Sequence, residues 1–249
     1  MEASGAARGT LPHTAIGGGG GPADFAVGRR VLLGVVIALV LIVLYFAVRT
    51  VIDRLDRFTV ERTTALRSTV DGLQYRVHPT HASPQKAADL LAAINARLVV
   101  VMRRLRAKYA RDPEMAARFP ARARATARIL RRYNPDNLVE NSPLDPSGDT
   151  SYTVDKGTLL ALCLRARDKT DGFHDMDLLT FVALHELSHI AIEEIDHPPG
   201  FWKAFKFILE ESVQAGVYTP EDYRGRPITY CGLVVDYQPL FDPKLEAIV

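Results

Sequence analysis

Two histidines and a glutamate in one short stretch have the types and spacing to bind a metal ion and activate water. The stretch is His185-Glu186-Leu187-Ser188-His189, an H-E-x-x-H pattern. Residues four apart lie on one face of a helix, so His185 and His189 can direct two imidazoles at one ion. Zinc accepts such nitrogens at roughly 2.0–2.1 Å, and Glu186 can take a proton from water beside the ion. The pattern predicts a zinc site with Glu186 as general base.

The pentad lies in an apolar run that predicts a buried helix. Residues 177–194 contain neither Gly nor Pro, and Asp177 is placed to cap the N-terminus. Apolar side chains occur on nearly every side, which is typical of a core helix. An unpaired polar group buried there costs about 1–3 kcal/mol. A zinc ion would satisfy the imidazoles and the carboxylate together. The alternative is a core helix whose histidines bond to backbone carbonyls.

A third ligand must come from outside this helix, because catalytic zinc sites commonly have three protein ligands. His197 precedes two consecutive prolines, which end the helix and turn the chain, and we expect its ring to fold back toward the metal. A second helix is predicted at about 200–215. Glu210 or Glu211 on that helix is the alternative third ligand, while Glu193 is too near the pentad to complete a tetrahedron easily.

The pentad, the later histidine and the pair Phe201-Trp202 at the start of the second helix resemble the small zinc metallopeptidases of the WLM (Wss1-like) and SprT-like groups. The resemblance implies a peptidase in which His185, His189 and His197 bind zinc and the pentad's glutamate is the general base. The seven residues between His189 and His197 exceed the spacing in the WLM pattern. The stretch 83–231 also resembles uncharacterised metallopeptidases of large DNA viruses.

An uncharged apolar stretch near the N-terminus predicts a membrane anchor. Residues 31–48 contain no charge, and at about 1.5 Å per residue they span about 27 Å, enough for a bilayer core. The stretch starts too late and is too long for a typical signal peptide, and a buried core helix is the other alternative. Arginines are more numerous on its C-terminal side, so the large C-terminal part is predicted on the cytosolic side of a single-pass protein.

The remaining chain predicts one α+β domain. We expect a disordered tail at 1–28, the anchor at 29–49, a partly helical connector at 50–82 and a metallopeptidase-like domain at 83–249. The domain should be mostly helical and zincin-like, with a small β-hairpin or sheet beside the H-E-x-x-H helix. About 180 residues outside the tail and the anchor suffice for a compact core.

The elements around the pentad follow from caps, breaks and turn residues. Ser83 should cap a helix to about residue 110, and a second helix should run from Asp112 to about 133 with a break at Pro120. A hairpin is expected just before the metal helix, where a strand edge could hold extended substrate. The other predicted elements are a loop at 134–149, hairpin strands at 151–154 and 158–164, and short strands near 228–231 and 233–237.

Several side chains have open roles. Cys163 and Cys231 either pair or stay as buried thiols. A donor to the oxyanion is expected, and the candidates are Tyr218, Tyr223, Tyr230 and His174.

The segment 97–132 has twelve Lys or Arg and two acids. This segment could bind nucleic acid or an anionic membrane. The alternative, which we favour, is that its basic side chains form the solvated faces of helices.

Three functions from different classes stay open. The favoured function is a membrane-anchored zinc peptidase that acts on a protein or peptide, with residues 31–48 in the lipid bilayer. The second, by analogy with the WLM and SprT-like enzymes, is a protease of DNA–protein crosslinks. The third is a catalytically silent structural membrane protein that retains the zinc fold.

Overall fold

The computed structural model describes residues 32–50, 62–144, 150–167 and 172–249. The chain divides between Asp53 and Arg54 into two units. In the first, helix α1 (Leu32–Thr50) exposes its apolar side chains and is long and apolar enough to cross a membrane, a criterion that a signal sequence near the N-terminus can also meet. The predicted tail at 1–28 and the connector residues 51–61 lie outside the described residues.

The second unit has the α+β architecture that the sequence predicts. Its strands are β1 Thr64–Arg67, β2 Gln74–Val77, β3 Leu138–Asn141, β4 Tyr152–Val154, β5 Leu159–Cys163, β6 Ile228–Tyr230 and β7 Leu233–Val235. Its helices are α2 Pro84–Leu105, α3 Pro113–Arg118, α4 Pro120–Arg132, α5 Met176–Ala191 and α6 Pro199–Gln214, with 3-10 turns at Pro135–Asn137 and Pro239–Phe241.

A five-stranded mixed sheet forms one layer, in the order β1-β2-β3-β5-β4. The pairs β1–β2 and β4–β5 are antiparallel, while β2–β3 and β3–β5 are parallel. Strands β6 and β7 form a separate antiparallel ribbon. Among the described residues, strand β4 is therefore an edge strand, and α5 packs against β4 and β5.

Helix α5 contacts the sheet through β4 and β5 and also packs against helices α2, α4 and α6. Nearly all its side chains are buried, which confirms the predicted core helix. It ends at Ala191, three residues before the predicted end, because Ile192 adopts an extended conformation. Helix α6 begins one residue before its predicted start, at Pro199.

The hairpin β1–β2 differs from the predicted connector at 50–82. Residues 64–77 form strands of the sheet, and in β2 the buried side chains Tyr75 and Val77 alternate with more exposed ones. Gly72 makes the turn with a φ of 74°, a conformation that favours glycine. Only two buried side chains carry the two-residue period, so the signal in the sequence is weak.

Strand β3 lies in the stretch 134–149 that was predicted as loop. Its polar half, Glu140 and Asn141, is as buried as its apolar half. Glu140 accepts a hydrogen bond of 2.7 Å from the buried Arg165 guanidinium, 25 positions later in the chain. Local composition does not reveal a partner at that distance, so the sequence suggests a loop.

Two predicted helix caps are wrong. Ser83 precedes α2 with a left-handed φ of 54°, and its side chain makes no capping bond. Helix α5 begins at Met176 with Asp175, not Asp177, as its cap, and the Asp175 carboxylate accepts from the Asp177 amide at 2.7 Å. The Asp177 carboxylate instead pairs with Arg97 at 2.6 Å.

Other predicted elements are confirmed. The break at Pro120 separates α3 from α4, the predicted hairpin is β4–β5, and the short strands predicted near 228–231 and 233–237 are β6 and β7. The turn between β4 and β5 uses left-handed conformations at Asp155 and Lys156 and a φ of 118° at Gly157. Helix α2 ends at Leu105 and continues as one π-helical turn to Ala110.

Candidate metal centre and active site

Helix α5 places the two pentad histidines side by side. Their ring centroids are 5.0 Å apart, and their Nε2 atoms are 3.3 Å apart. Both rings are half-buried, since α5 is enclosed on most sides. The helical spacing thus brings His185 and His189 together as predicted.

His197 joins them from the segment between α5 and α6. Its Nε2 lies 2.9 Å from the Nε2 of His185, and the ligand nitrogens of all three rings lie within 4.8 Å of one another. Asp196 has a left-handed φ of 62°, and Pro198 caps α6 in an extended conformation, so the backbone turns sharply around His197. The ring folds back as the sequence predicts.

Basic side chains hold the end of α5 and the segment that carries His197. Arg128 and Arg132 on α4 donate to the carbonyls of Ala191 and Ile190, at 3.3 and 3.4 Å. Cations are favourable at a helix C-terminus because the last carbonyls have no helical partner. In addition, Lys156 of the β4–β5 turn donates to the carbonyl of Glu194. The third histidine is therefore positioned from two neighbouring elements.

Phe201 forms the floor of the histidine cluster. Its ring centroid is 4.8 Å from that of His185, 4.4 Å from His189 and 4.6 Å from His197. The side chain is fully buried at the start of α6. One aromatic ring thus contacts all three imidazoles and limits their rotation. From the sequence, Phe201 was noted as a packing residue and as part of the aromatic pair that carries the resemblance, but its contacts with the histidines were not predicted because they are tertiary.

The cluster fits a zinc ion. Nitrogen ligands at about 2.0–2.1 Å in a tetrahedron are about 3.3 Å apart, which matches the separation of His185 and His189. Burial and then the neighbouring rings lower the pKa of His185 to about 3, and burial and His197 lower that of His189 to about 4. Neutral imidazoles are the form that binds metal, and three converging nitrogens cannot all be satisfied by one another.

Glu186 is buried beside the edge strand β4. Its side chain is 3% exposed, and its Oε2 accepts a hydrogen bond of 2.9 Å from the Thr153 hydroxyl. Burial raises the pKa of Glu186 to about 8, although the Thr153 bond acts in the opposite direction. A cation in the histidine cluster would favour the carboxylate. Thr153 was missed because nothing local marks it as the neighbour of a residue on α5.

No protein-family model matches the chain. The uncharacterized protein R325 of Acanthamoeba polyphaga mimivirus is 34% identical over 195 residues, which cover 78% of this chain and 93% of R325. The chain belongs to the family of mimivirus R325. Protein 136R of Invertebrate iridescent virus 6, also titled uncharacterized, is 31% identical over 91 residues, or 36% of this chain and 50% of that protein.

These matches confirm the predicted resemblance of this chain to viral proteins. Among solved structures, Wss1 from Saccharomyces cerevisiae is 18% identical and covers 56% of this chain and 87% of its own, with a TM-score of 0.40.

The carboxylates that were considered as third ligands pair with basic side chains instead. Glu211 is fully buried and accepts from Arg104 at 2.6 Å and Lys108 at 2.7 Å. Glu210 faces Arg122 at 3.7 Å, and Glu193 pairs with Arg128 at 3.0 Å. The group in the described residues that could hold a metal ion contains the three histidines and none of these carboxylates.

One of the four proposed oxyanion donors, Tyr230, interacts electrostatically with Glu186. The negative charge of Glu186 contributes to raising the pKa of Tyr230, after burial as the largest cause. The Tyr230 hydroxyl is 2.5 Å from the Ser151 hydroxyl, and the Tyr230 ring contacts the His174 ring in a tilted arrangement with the centroids 4.9 Å apart. By contrast, the Tyr218 hydroxyl accepts from Gln238 at 2.7 Å in the core.

A disulfide connects the sheet with the last ribbon. Cys163 ends β5 and Cys231 follows β6, and the two are bonded. The Cys231 amide donates to His174 Nε2 at 3.2 Å, so the bridge lies beside Tyr230. The sequence left pairing and free thiols open, and the structure shows pairing.

Half of the basic segment 97–132 is used within the domain. Six of its basic side chains donate to carboxylates or backbone carbonyls of α5, α6 or the residues that follow these helices: Arg97, Arg104, Lys108, Arg122, Arg128 and Arg132. These arginines and the lysine stabilise the packing around α5 and α6. The others, such as Arg103 and Arg131, are exposed.

Proposed function

We propose that this chain is a membrane-anchored, zinc-dependent peptidase. The observation that supports the proposal is the convergence of the three histidine Nε2 atoms at the helix that also carries the buried Glu186. A core helix with histidines bonded to backbone carbonyls would have no reason to direct these nitrogens at one another. The resemblance of the pentad and of Phe201-Trp202 to WLM and SprT-like peptidases supports the same function.

His185, His189 and His197 would hold the zinc ion, with Phe201 behind them. The bound ion would supply Lewis acidity, lowering the pKa of water and polarising a peptide carbonyl. Glu186 takes the proton at its carboxylate and later delivers it to the leaving amine. The hydrogen bond from Thr153 fixes Oε2, so one oxygen is oriented and the other is left for the proton.

Strand β4 is suited to hold an extended substrate. It is an edge strand, and it carries Thr153, which contacts the general base. An extended peptide that pairs with the edge strand Tyr152–Val154 would therefore pass close to Glu186. Backbone pairing depends little on side chains, so this edge supplies orientation.

The Glu186→Gln variant tests the proposal. The substitution keeps the three histidines and removes the base, so we expect zinc content to stay the same while turnover of an unfolded protein substrate falls about 10²–10⁴-fold. Zinc is measured by elemental analysis of the purified full chain, and His189→Ala is the matched variant that should lose the metal. A Glu186→Gln protein as active as the wild type would refute the assigned base. Zinc-containing but inactive wild-type protein would favour the silent structural alternative.

The basic segment gives less support to a DNA-linked protease, because half of it is bound within the domain. That function predicts steep salt dependence of DNA binding by the full chain, since each neutralised phosphate releases counterions. Binding of the full chain to single- and double-stranded DNA across a salt series measures it.

Membrane attachment through α1 is part of the proposal, and the orientation stays a prediction. The arginine bias around residues 31–48 favours a cytosolic C-terminal domain, whereas the Cys163–Cys231 disulfide is typical of oxidising compartments. The two signals point to opposite sides. Protease protection of the C-terminal domain in intact vesicles distinguishes them.

A further inference from the structure

An apolar pocket opens directly beside the third histidine. Its volume is about 460 Å³, which is within the usual range for ligand pockets. The rings of Trp202 and Tyr237 form two of its walls, 5.2 Å apart and nearly perpendicular. Trp202 also lies over the His197 ring at 5.7 Å. The remaining lining residues are Pro199, Lys203 and Leu245.

The far wall of the pocket is held in place by the C-terminal segment. Lys206 on α6 donates to the carbonyls of Asp242 and Leu245, at 2.8 and 2.7 Å. The Ile248 amide donates to the Lys203 carbonyl at 3.3 Å. These bonds fix Leu245 opposite α6, so the pocket exists before any ligand arrives.

The chemistry of the lining indicates what binds there. Aromatic and aliphatic groups dominate the walls, so the occupant must bury apolar surface. Lys203 carries the formal charge among the lining residues; it is exposed, and no ion-pair partner is seen for it in the described parts of the chain. A carboxylate at the rim is therefore favoured. Because His197 is both a wall and a proposed zinc ligand, the occupant lies next to the reacting bond.

We propose that this pocket binds a bulky apolar side chain of the peptide substrate, next to the scissile bond, and that Lys203 favours an acidic residue beside it. The inference rests on the proposed peptidase function for its placement in a reaction. Side-chain binding itself does not need catalysis, so the two can be tested separately.

Trp202 is the only tryptophan of the chain, and it reports on the pocket directly. We would titrate the zinc-loaded Glu186→Gln chain in lipid nanodiscs with acetylated tetrapeptide amides that differ at one position. Peptides with Leu or Phe should change the Trp202 fluorescence and bind about ten- to a hundredfold more tightly than the Ala peptide. Empty nanodiscs correct for partition of the peptides into lipid.

Two variants of Tyr237 distinguish the contribution of its ring to binding from that of its hydroxyl. Tyr237→Ala removes the ring and should weaken binding of the Phe peptide about tenfold or more. Tyr237→Phe keeps the ring and loses only the hydrogen bond to Asp242, so it should bind like the parent. In the same assay, Lys203→Glu should reverse the preference for Asp over Lys beside the apolar residue.

Cleavage of the same peptides by the wild-type chain completes the test. A preference for Leu and Phe that disappears in Tyr237→Ala, with zinc content unchanged, supports the pocket assignment. Equal fluorescence titrations for Ala, Leu and Phe peptides, or cleavage without any such preference, would overturn it. Tight binding of the Leu and Phe peptides without hydrolysis supports the pocket and contradicts the peptidase function.

Discussion

Replacement of Phe201 by alanine should damage the proposed metal centre although Phe201 is not a proposed ligand. The ring is fully buried and contacts all three imidazoles at centroid distances of 4.4–4.8 Å. Phe→Ala substitutions in cores cost about 3–5 kcal/mol, which is a large part of a typical folding free energy of about 5–15 kcal/mol. Losing the floor should also let the rings rotate, and lost support of metal ligands typically weakens binding about 10–100-fold.

Phe207→Ala is the matched control. Phe207 lies on the same helix and is equally buried, but it packs on Tyr109 at 5.4 Å and shows no ring contact with the three histidines. Both variants should lose similar unfolding free energy in urea, measured without zinc, and only Phe201→Ala should lose zinc affinity, measured by competition with a chelator. Phe201→Leu, which leaves a smaller cavity, keeps the test possible if alanine prevents folding. Equal zinc affinities of the Phe201 and Phe207 variants would refute the reasoning.

Three further predictions concern the surroundings of the site. Burial alone would raise the pKa of Glu211, but the hydrogen bonds that its carboxylate accepts lower this pKa in the folded state. The contribution of Glu211 to the free energy of unfolding is therefore complete above its unfolded pKa of about 4.3, and it is lost as the pH falls through the lower pKa of the folded state. Glu211→Gln should cost about 1.5–3 kcal/mol at neutral pH, and urea titrations should show this deficit shrinking in acid. Alanine at both Arg128 and Arg132 should lower the unfolding free energy by about 0.6–2 kcal/mol, whereas the exposed Arg131→Ala should change it by less than about 0.5 kcal/mol. The disulfide closes a loop with a sequence separation of 68, so Cys163→Ser should cost about 4 kcal/mol, and reductant should lower the unfolding midpoint of the wild type only.

The site could be predicted where its geometry is local. His185, Glu186 and His189 share one helix, so their relation follows from helical periodicity alone. His197 could be placed because the prolines after it leave few paths for the chain. The contacts of Thr153 with Glu186 and of Phe201 with the histidines could not be predicted, since they depend on β4 and α6 packing against α5. Those contacts join residues far apart in the sequence.

The sheet was predicted only where turn residues announce a hairpin. Asp155-Lys156-Gly157 marks β4–β5, and that pair is confirmed. Strand β3 was missed because Glu140 and Asn141 have loop composition, and their burial depends on a distant guanidinium. Single-sequence patterns report the solvent side and the core side of an element, and β3 has no solvent side.

The disulfide between Cys163 and Cys231 affects how proteolytic cleavage of this chain can be detected. Both α5 and the exposed turn at His197 lie between the two bonded cysteines. A single nick in that turn would leave the two fragments covalently joined, with the same mass apart from one added water. Nicked and intact chains would therefore run together on a gel without reductant and separate only after reduction.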